Sequence, residues 1–243
     1  MKRILILLIV LSVSSQLRAQ AIFAHNDYLK PRPFYNAFEL KVAYIEADVF
    51  LENNQLLVAH TKEEIDPSKT LESMYIEPLS QKVKEANGNL YGLTLMIDLK
   101  TEGAPTMSAL IKLLEKYPEI KTCSNLWITM SGNYPPPDEW KNYPGYITFD
   151  GRPEGKYTIE NLKRLRLIST SFSSVSNWNG QGEIPPKEEA KLRKVIDQAH
   201  TLGFPMRFWA MPDFENAWDK LEAIGLDILN SDKIDELSKH LSN

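Results

Sequence analysis

Eight short runs of β-branched, aromatic and aliphatic residues recur along the chain. Polar connections or segments of helical periodicity separate them, and this alternation restricts the fold more than any other feature. The runs are "AIFAH", "YIEADVF", "TLMIDLK", "LWITMS", "YITFD", "RLISTSF", "MRFWAM" and "LDILN". Between them, "PSKTLESMYIEPLSQKVKEANG", "APTMSALIKLLEKY", "TIENLKRL", "PKEEAKLRKVIDQAHTLG" and "DFENAWDKLEAIG" have the spacing of amphipathic helices. Two of these end on a glycine just before the next strand, Gly203 and Gly225, as helix C-termini commonly do. Strands alternating with helices predict a parallel sheet with crossover helices, and eight of them suit closure into a (β/α)8 barrel. A doubly wound open sheet is the rival, but no glycine-rich phosphate loop follows the first strand. After the second strand, "LENNQLLVAHT" puts Asn53-Asn54 at a hairpin turn and "LLVAH" on a returning strand. The expected fold is therefore α/β, a single TIM-like barrel with a β-hairpin extension after strand 2.

The chain has 243 residues, enough to bury a sizeable core without disulfides. "MKRILILLIVLSV" sets Lys2 and Arg3 before an apolar run, and Ala19-Gln20-Ala21 fits a cleavage site. Residues 1–20 are accordingly expected to be a signal peptide and residues 21–243 the barrel domain. The protein is then expected in the periplasm or outside the cell, with no stable membrane insertion once the leader is cleaved. The whole chain has 28 basic against 32 acidic residues, and the expected leader contains three of the basic ones and no acid. An acidic domain of this kind gives no footprint for nucleic acid and no polybasic patch for anionic lipid. The single Cys123 has no histidine near it in sequence and is expected to be a small buried hydrophobe.

The chemistry is concentrated in acids placed on strands. Side chains alternate across a strand, so Glu46 and Asp48 point to one side while Ile45, Ala47 and Val49 point to the other. In a barrel the apolar three face the helices and the acids face the interior near the C-terminal mouth. The third strand repeats the pattern with Asp98 and Lys100. Three carboxylates converging there repel one another and are costly to bury unpaired, a cost that a divalent cation resolves. All-oxygen ligation selects Mg2+ or Ca2+ rather than zinc. Of the four histidines, His25 ends the first strand and His60 the hairpin strand, both where barrel enzymes do their chemistry. His200 and His240 lie on a helix and in the C-terminal tail, away from that mouth. Two imidazoles beside a cation suit phosphoryl transfer, one accepting a proton from the nucleophilic hydroxyl and the other giving one to the leaving oxygen.

"AHND…NAFELKVAYIEADVFLENNQLLVAHT" resembles the opening of the glycerophosphodiester phosphodiesterases and their relatives, the PLC-like phosphodiesterases. Those proteins have a strand-end His, a Glu-x-Asp strand, a short turn and a second His. "RFWAMPDFENAWDKLEAIGLDILNSDKI" is similar to the family's last two strands. "HNDY", "EADVFL", "LLVAH" and "TLESMYIEPL" are closer still to a subgroup with fungal altered-inheritance-of-mitochondria members and bacterial secreted ones. The resemblance implies that Glu46 and Asp48 ligate the metal and that His25 and His60 form the acid–base pair. It implies Asp98 as third ligand, with Lys100 two residues on, as in the related sphingomyelinase D enzymes. Glycerophosphodiesterases place Arg after the first His, whereas this chain has Asn26. Either Asn26 joins the metal shell, as in calcium-dependent PI-specific phospholipases C, or phosphate binding leans on Lys100. On the seventh barrel strand Trp209 shares a face with Arg207, where it either walls the substrate pocket or simply packs. Asp27 and Tyr28 either shape the phosphate loop or cap the next helix.

The expected activity is hydrolysis of a glycerophosphodiester, phosphoinositide or related lipid-headgroup phosphodiester, with a small molecule or a phospholipid as substrate. The alternative is a barrel of the same fold that binds phospholipid or sugar without turnover. A sugar hydrolase using Glu46 and Asp48 is disfavoured, because same-face neighbours on one strand lie only about 7 Å apart and cannot flank a bond from opposite sides.

Overall fold

The structure, a computed structural model, describes residues 20–242, so the expected leader lies outside the described residues except for Gln20. Nine strands form one sheet: β1 (Ala21–Ala24), β2 (Tyr44–Glu52), β3 (Gln55–Val58), β4 (Leu93–Leu99), β5 (Leu126–Gly132), β6 (Ile147–Gly151), β7 (Leu165–Ser171), β8 (Met206–Trp209) and β9 (Ile228–Ser231). All pair in parallel around a ring except β3, and the ring closes where β1 meets both β9 and β2. The eight parallel strands are the eight runs expected from the sequence, and β3 is the hairpin extension. Around them pack α1 (Tyr35–Glu39), α2 (Glu77–Glu85), α3 (Gly103–Leu114), α4 (Pro118–Thr122), α5 (Ile159–Leu162), α6 (Pro186–Leu202), α7 (Glu215–Ala223) and α8 (Ile234–His240). "TIENLKRL" forms only one turn, capped by Thr158, because β7 begins at Leu165. The proline-rich connection after β5 is a 3-10 turn, Pro137–Asn142, with no α-helix. Gly203 closes α6 in the left-handed conformation, and Gly225 follows α7 in the same one.

Alternation along the strands divides the apolar residues into two sets. Ile45, Ala47 and Val49, with Leu95 and Ile97 of β4, join the large core under the helices. Phe23, Tyr44, Met96, Leu167 and Ile228 form a separate cluster that plugs the barrel. Above that plug, at the C-terminal ends of the strands, the interior positions turn polar. Cys123 is buried, and its thiol faces the Gly88 carbonyl. His200 pairs with Asp227, and His240 pairs with Asp219 against the Trp218 ring, so both are structural. No helix among the described residues is long and apolar enough to cross a membrane.

The β2–β3 hairpin turns on Asn53 and Asn54, both at positive φ (50° and 63°), the arrangement of a two-residue turn whose twist matches the strands. Its register, Val49 opposite Val58, carries the chain back so that the Ala59 amide donates to the Asp48 carbonyl. His60 is thereby set beside the Asp48 side chain. Replacing Asn54 by valine puts a β-branched residue in a left-handed conformation and is expected to destabilise the fold by about 1–2 kcal/mol in urea unfolding. Asn54→Gly, free of that penalty, is expected to remain close to the parent, and equal stability of the valine variant would contradict this account of the turn.

Candidate active site

β2 presents Glu46 and Asp48 to the barrel interior, and β4, with Asp98 in register opposite Asp48, supplies the third carboxylate. One oxygen from each lies within 4.8 Å of the others, making these three a group able to hold a metal ion. Glu46 and Asp48 are only 4% and 2% exposed. Burial pushes the Glu46 carboxyl above its ordinary range, against the pull of Arg207 and His25 and with added repulsion from Asp48 and Asp98. Burial also raises Asp98, opposed by Lys100. Gly132 lets Asp98 sit where it does. A Cβ at that position, whose φ is +73°, would fall 2.0 Å from Asp98 Oδ1 and 2.6 Å from the Leu99 carbonyl.

Two cations answer the three acids. Lys100 Nζ lies 3.0 Å from Asp48 and 3.3 Å from Asp98. Arg207, 3% exposed, reaches Glu46 at 3.4 Å. Its Nε donates to Asn230 at 2.9 Å, and its guanidinium stacks 3.5 Å from the Phe23 ring centroid. With all five ionised, one net negative charge is left. The donor set and its surplus charge fit a hard divalent cation bound through oxygen.

The two expected histidines flank the carboxylates. His25 Nδ1 lies 2.8 Å from the carboxylate of Asp232, just past β9, while Nε2 faces Glu46 at 3.6 Å. Asp232 accepts from Nδ1 when that nitrogen carries the proton, and the Asn26 side-chain nitrogen lies 2.9 Å from the same atom. Burial opposes the charged ring, but the Asp232 hydrogen bond and the negative charges of Glu46 and Asp232 outweigh it, and the net pKa is raised. His60 Nδ1 lies 3.1 Å from Asp48 Oδ2, which leaves its Nε2 free at a half-exposed position on the mouth. Tyr28 links the pieces. Its hydroxyl is 2.8 Å from Asp48 Oδ2, 2.7 Å from Asn26 Oδ1 and 3.2 Å from His60 Nδ1. Burial, then the Asp48 charge, drives its pKa well upward, so it stays a neutral donor.

Asn26 has φ 50°, its amide N–H is 3.5 Å from Glu46, and its side-chain nitrogen donates to Asp232 at 3.2 Å. It adjoins the carboxylates, with its oxygen turned to Tyr28. Asp27 belongs to the scaffold beneath. Its buried carboxylate accepts from the Phe34 amide at 2.6 Å and the Tyr75 hydroxyl at 3.0 Å, tying the histidine loop to the start of α1. Trp209 stands apart: it is 42% exposed at the end of β8, a rim residue and not core packing.

Seven of the eight expected site residues therefore gather at one mouth, and Trp209 stands apart on its rim. Asp232 and Arg207 were not assigned site roles from the sequence, and Tyr28 was read only as shaping the phosphate loop or capping the next helix. Asp232 is 207 positions from His25 and meets it only because β9 pairs with β1. The acid directly after the last strand was the available signal. For Arg207 it was a charge on the interior face of a strand.

With the geometry in hand, likenesses to known proteins are informative. A family model described as the AIM6-like phosphodiesterase domain matches residues 11–91, which hold His25, Asn26, Glu46, Asp48 and His60. Altered inheritance of mitochondria protein 6 of Eremothecium gossypii is 29% identical over 90% of this chain and 68% of that protein. Its homolog from Arthroderma benhamiae is 24% identical over 88% of this chain and 81% of that one. Among solved structures, a glycerophosphodiester phosphodiesterase from Parabacteroides distasonis superposes with a TM-score of 0.59 at 15% identity, over 93% of this chain and 98% of the other. A phosphodiesterase from Oleispira antarctica, solved with the product sn-glycerol-3-phosphate, gives 0.58 at 16% identity, over 92% and 97%. The resemblance seen in "HNDY" and "EADVFL" is borne out, and the barrel has the fold of the glycerophosphodiester phosphodiesterases.

The same matches correct the expected secreted or periplasmic placement. The relatives that align along most of the chain are fungal proteins named for mitochondrial inheritance, not for export. The family match also starts at residue 11, inside the stretch assigned to a leader. An apolar run behind two basic residues is a compositional signal that several kinds of N-terminal segment share, and it does not specify a compartment.

Arg207→Met is expected to destabilise the fold by about 3–5 kcal/mol in chemical denaturation, because Glu46 is left buried without its charge partner. Adding Glu46→Gln should recover a large part of that loss. If the double variant is no more stable than the single one, the Arg207–Glu46 pairing is not what holds the two side chains.

Proposed function

We propose that this barrel is a divalent-cation-dependent phosphoric diester hydrolase acting on a glycerophosphodiester, a phosphoinositide or a related lipid-headgroup phosphodiester. The observation that carries this reading is the pair of imidazoles on either side of the carboxylates. Each has its Nδ1 nitrogen held by a carboxylate, so that Nε2 is free to exchange a proton.

Glu46, Asp48 and Asp98 would hold Mg2+ or Ca2+, with Asn26 adjoining them. When bound, the cation supplies charge neutralisation at the phosphate oxygens. Lys100 would contact a non-bridging oxygen through the third of its ammonium protons, and Trp209 would border the substrate at the rim. His25 Nε2 takes the proton from a hydroxyl neighbouring the phosphate as that oxygen bonds to phosphorus. The bond from phosphorus to the leaving alcohol breaks, and its oxygen takes a proton from His60. The first products are a cyclic phosphodiester and a free alcohol. Water then opens the ring with the two histidines exchanging roles, giving a phosphomonoester. Asp232 acts through His25 and Tyr28 through His60, each orienting a ring and touching no reacting atom.

A second reading, binding of phospholipid or sugar without turnover, draws on the position of Lys100. Its ammonium already bridges Asp48 and Asp98 and offsets part of the charge a cation would neutralise.

His25→Ala and His60→Ala are each expected to lower turnover of glycerophosphoethanolamine, whose glycerol hydroxyl neighbours the phosphate, by about 10²–10⁴-fold with unchanged circular dichroism. Full activity in either folded variant removes that histidine from the scheme. EDTA is expected to silence the enzyme, with recovery on adding Mg2+ or Ca2+. Calorimetry showing no binding of either ion would favour the second reading. Gly132→Ala, which crowds Asp98, is expected to weaken cation binding at least tenfold, and unaltered affinity would exclude Asp98 from the ligand set.

A further inference from the structure

Across the mouth from the carboxylates lies a second polar cluster that the proposed reaction does not use. Asp98 is in register with Ser131 of β5, whose hydroxyl donates to Asp150 Oδ2 on β6 at 3.0 Å. Ser169 of β7 donates to the same oxygen at 2.6 Å. Arg152, the residue just past β6, brings Nη1 to that oxygen at 2.8 Å and to Ser169 Oγ at 3.2 Å. The same nitrogen also meets the carbonyls of Asp150 and Gly151. The Tyr134 hydroxyl is bonded to the Asp150 carbonyl, and its ring centroid lies 5.9 Å from the guanidinium.

One nitrogen of Arg152 therefore makes every hydrogen bond that anchors it. Among the described residues, no partner reaches Nε or Nη2. These two nitrogens form the side-on edge of the guanidinium, the edge whose parallel N–H groups match a carboxylate or a phosphate. The edge is held in place and still accessible. Asp150 is 1% exposed, whereas the Arg152 side chain keeps about a third of its surface, so a group entering the mouth meets the cation first. A clamp between β6 and β7 does not need this arginine, because Ser169 already bonds Asp150. Asp150 lies two strand spacings from Asp98, roughly 10 Å. That separation leaves room for a group on the alcohol of a diester held at the carboxylate side.

Resting on the phosphodiesterase reading, we propose that Arg152, oriented by Asp150, Ser131 and Ser169, is a specificity-determining contact for an additional oxyanion carried by one alcohol of the substrate. No covalent step is involved. The Nε and Nη2 edge donates two hydrogen bonds to a carboxylate or phosphate, while the diester sits at the carboxylate and histidine side.

Two substrate pairs test this, each differing by a single anionic group. Glycerophosphoserine and glycerophosphoethanolamine differ by a carboxylate, and glycerophosphoinositol 4-phosphate and glycerophosphoinositol differ by a phosphate. The wild-type protein is expected to favour the anionic member of at least one pair by tenfold or more in kcat/KM. Arg152→Gln is expected to bring that ratio close to one. A ratio measured on one preparation is independent of the fraction folded, so partial misfolding of the variant does not imitate the result. No preference in either pair, or a preference that survives Arg152→Gln, overturns the proposal. Should none of the four be hydrolysed, the phosphodiesterase reading fails on its own account. The ratio of dissociation constants for the same four compounds, measured by calorimetry on wild type and Arg152→Gln, then decides the oxyanion contact in the same way.

Discussion

Three carboxylates forced together in a buried barrel mouth are the constraint around which the other parts are arranged. Glu46, Asp48 and Asp98 share one face because strand geometry sends alternate residues inward and because β2 pairs with β4 in register. Burial and the neighbouring like charges raise the pKa of Glu46 and Asp98, and such a group would destabilise the fold unless answered. Lys100 and Arg207 answer two of the charges, and the remaining one suits a divalent ion. A bound divalent ion would turn the sum of these five side chains and the ion positive, which would suit an anionic diester.

Barrel closure then decides what stands beside those acids. β1 lies between β9 and β2, so Asp232 from one neighbour and Glu46 from the other face the same His25 ring. The hairpin performs the matching task for His60 by returning the chain to Asp48. Tyr28 bridges the two loops. The histidines thus reach the carboxylates by unrelated routes, one on a parallel strand and one on an antiparallel excursion. Each ring is oriented by an acid contacting its Nδ1 nitrogen.

Across the barrel, Asp150 and Arg152 show the same economy of design with a different outcome. There a carboxylate is satisfied by two hydroxyls and one guanidinium nitrogen, and the surplus is hydrogen-bond donors instead of negative charge. In the proposed reaction the acid-rich wall would take a cation and the phosphate. The opposite wall, with its free guanidinium edge, would take an oxyanion on the group to which that phosphate is attached.

Local pattern was sufficient for much of this. The eight strands, the Asn53-Asn54 turn, the interior face of Glu46 and Asp48 and the strand-end positions of His25 and His60 all follow from side-chain alternation, turn chemistry and strand ends, which depend on near neighbours in the chain. Other features depend on tertiary structure. Asp232 beside His25, Arg207 beneath Glu46, Gly132 against Asp98 and Arg152 over Ser169 are contacts between different strands, separated by between 17 and 207 positions. Their partners are set by sheet register and ring closure, which no single segment encodes. The chain by itself determined which side chains point inward, because alternation is local. Only the closed barrel decided which of them meet, because that requires the last strand to lie beside the first.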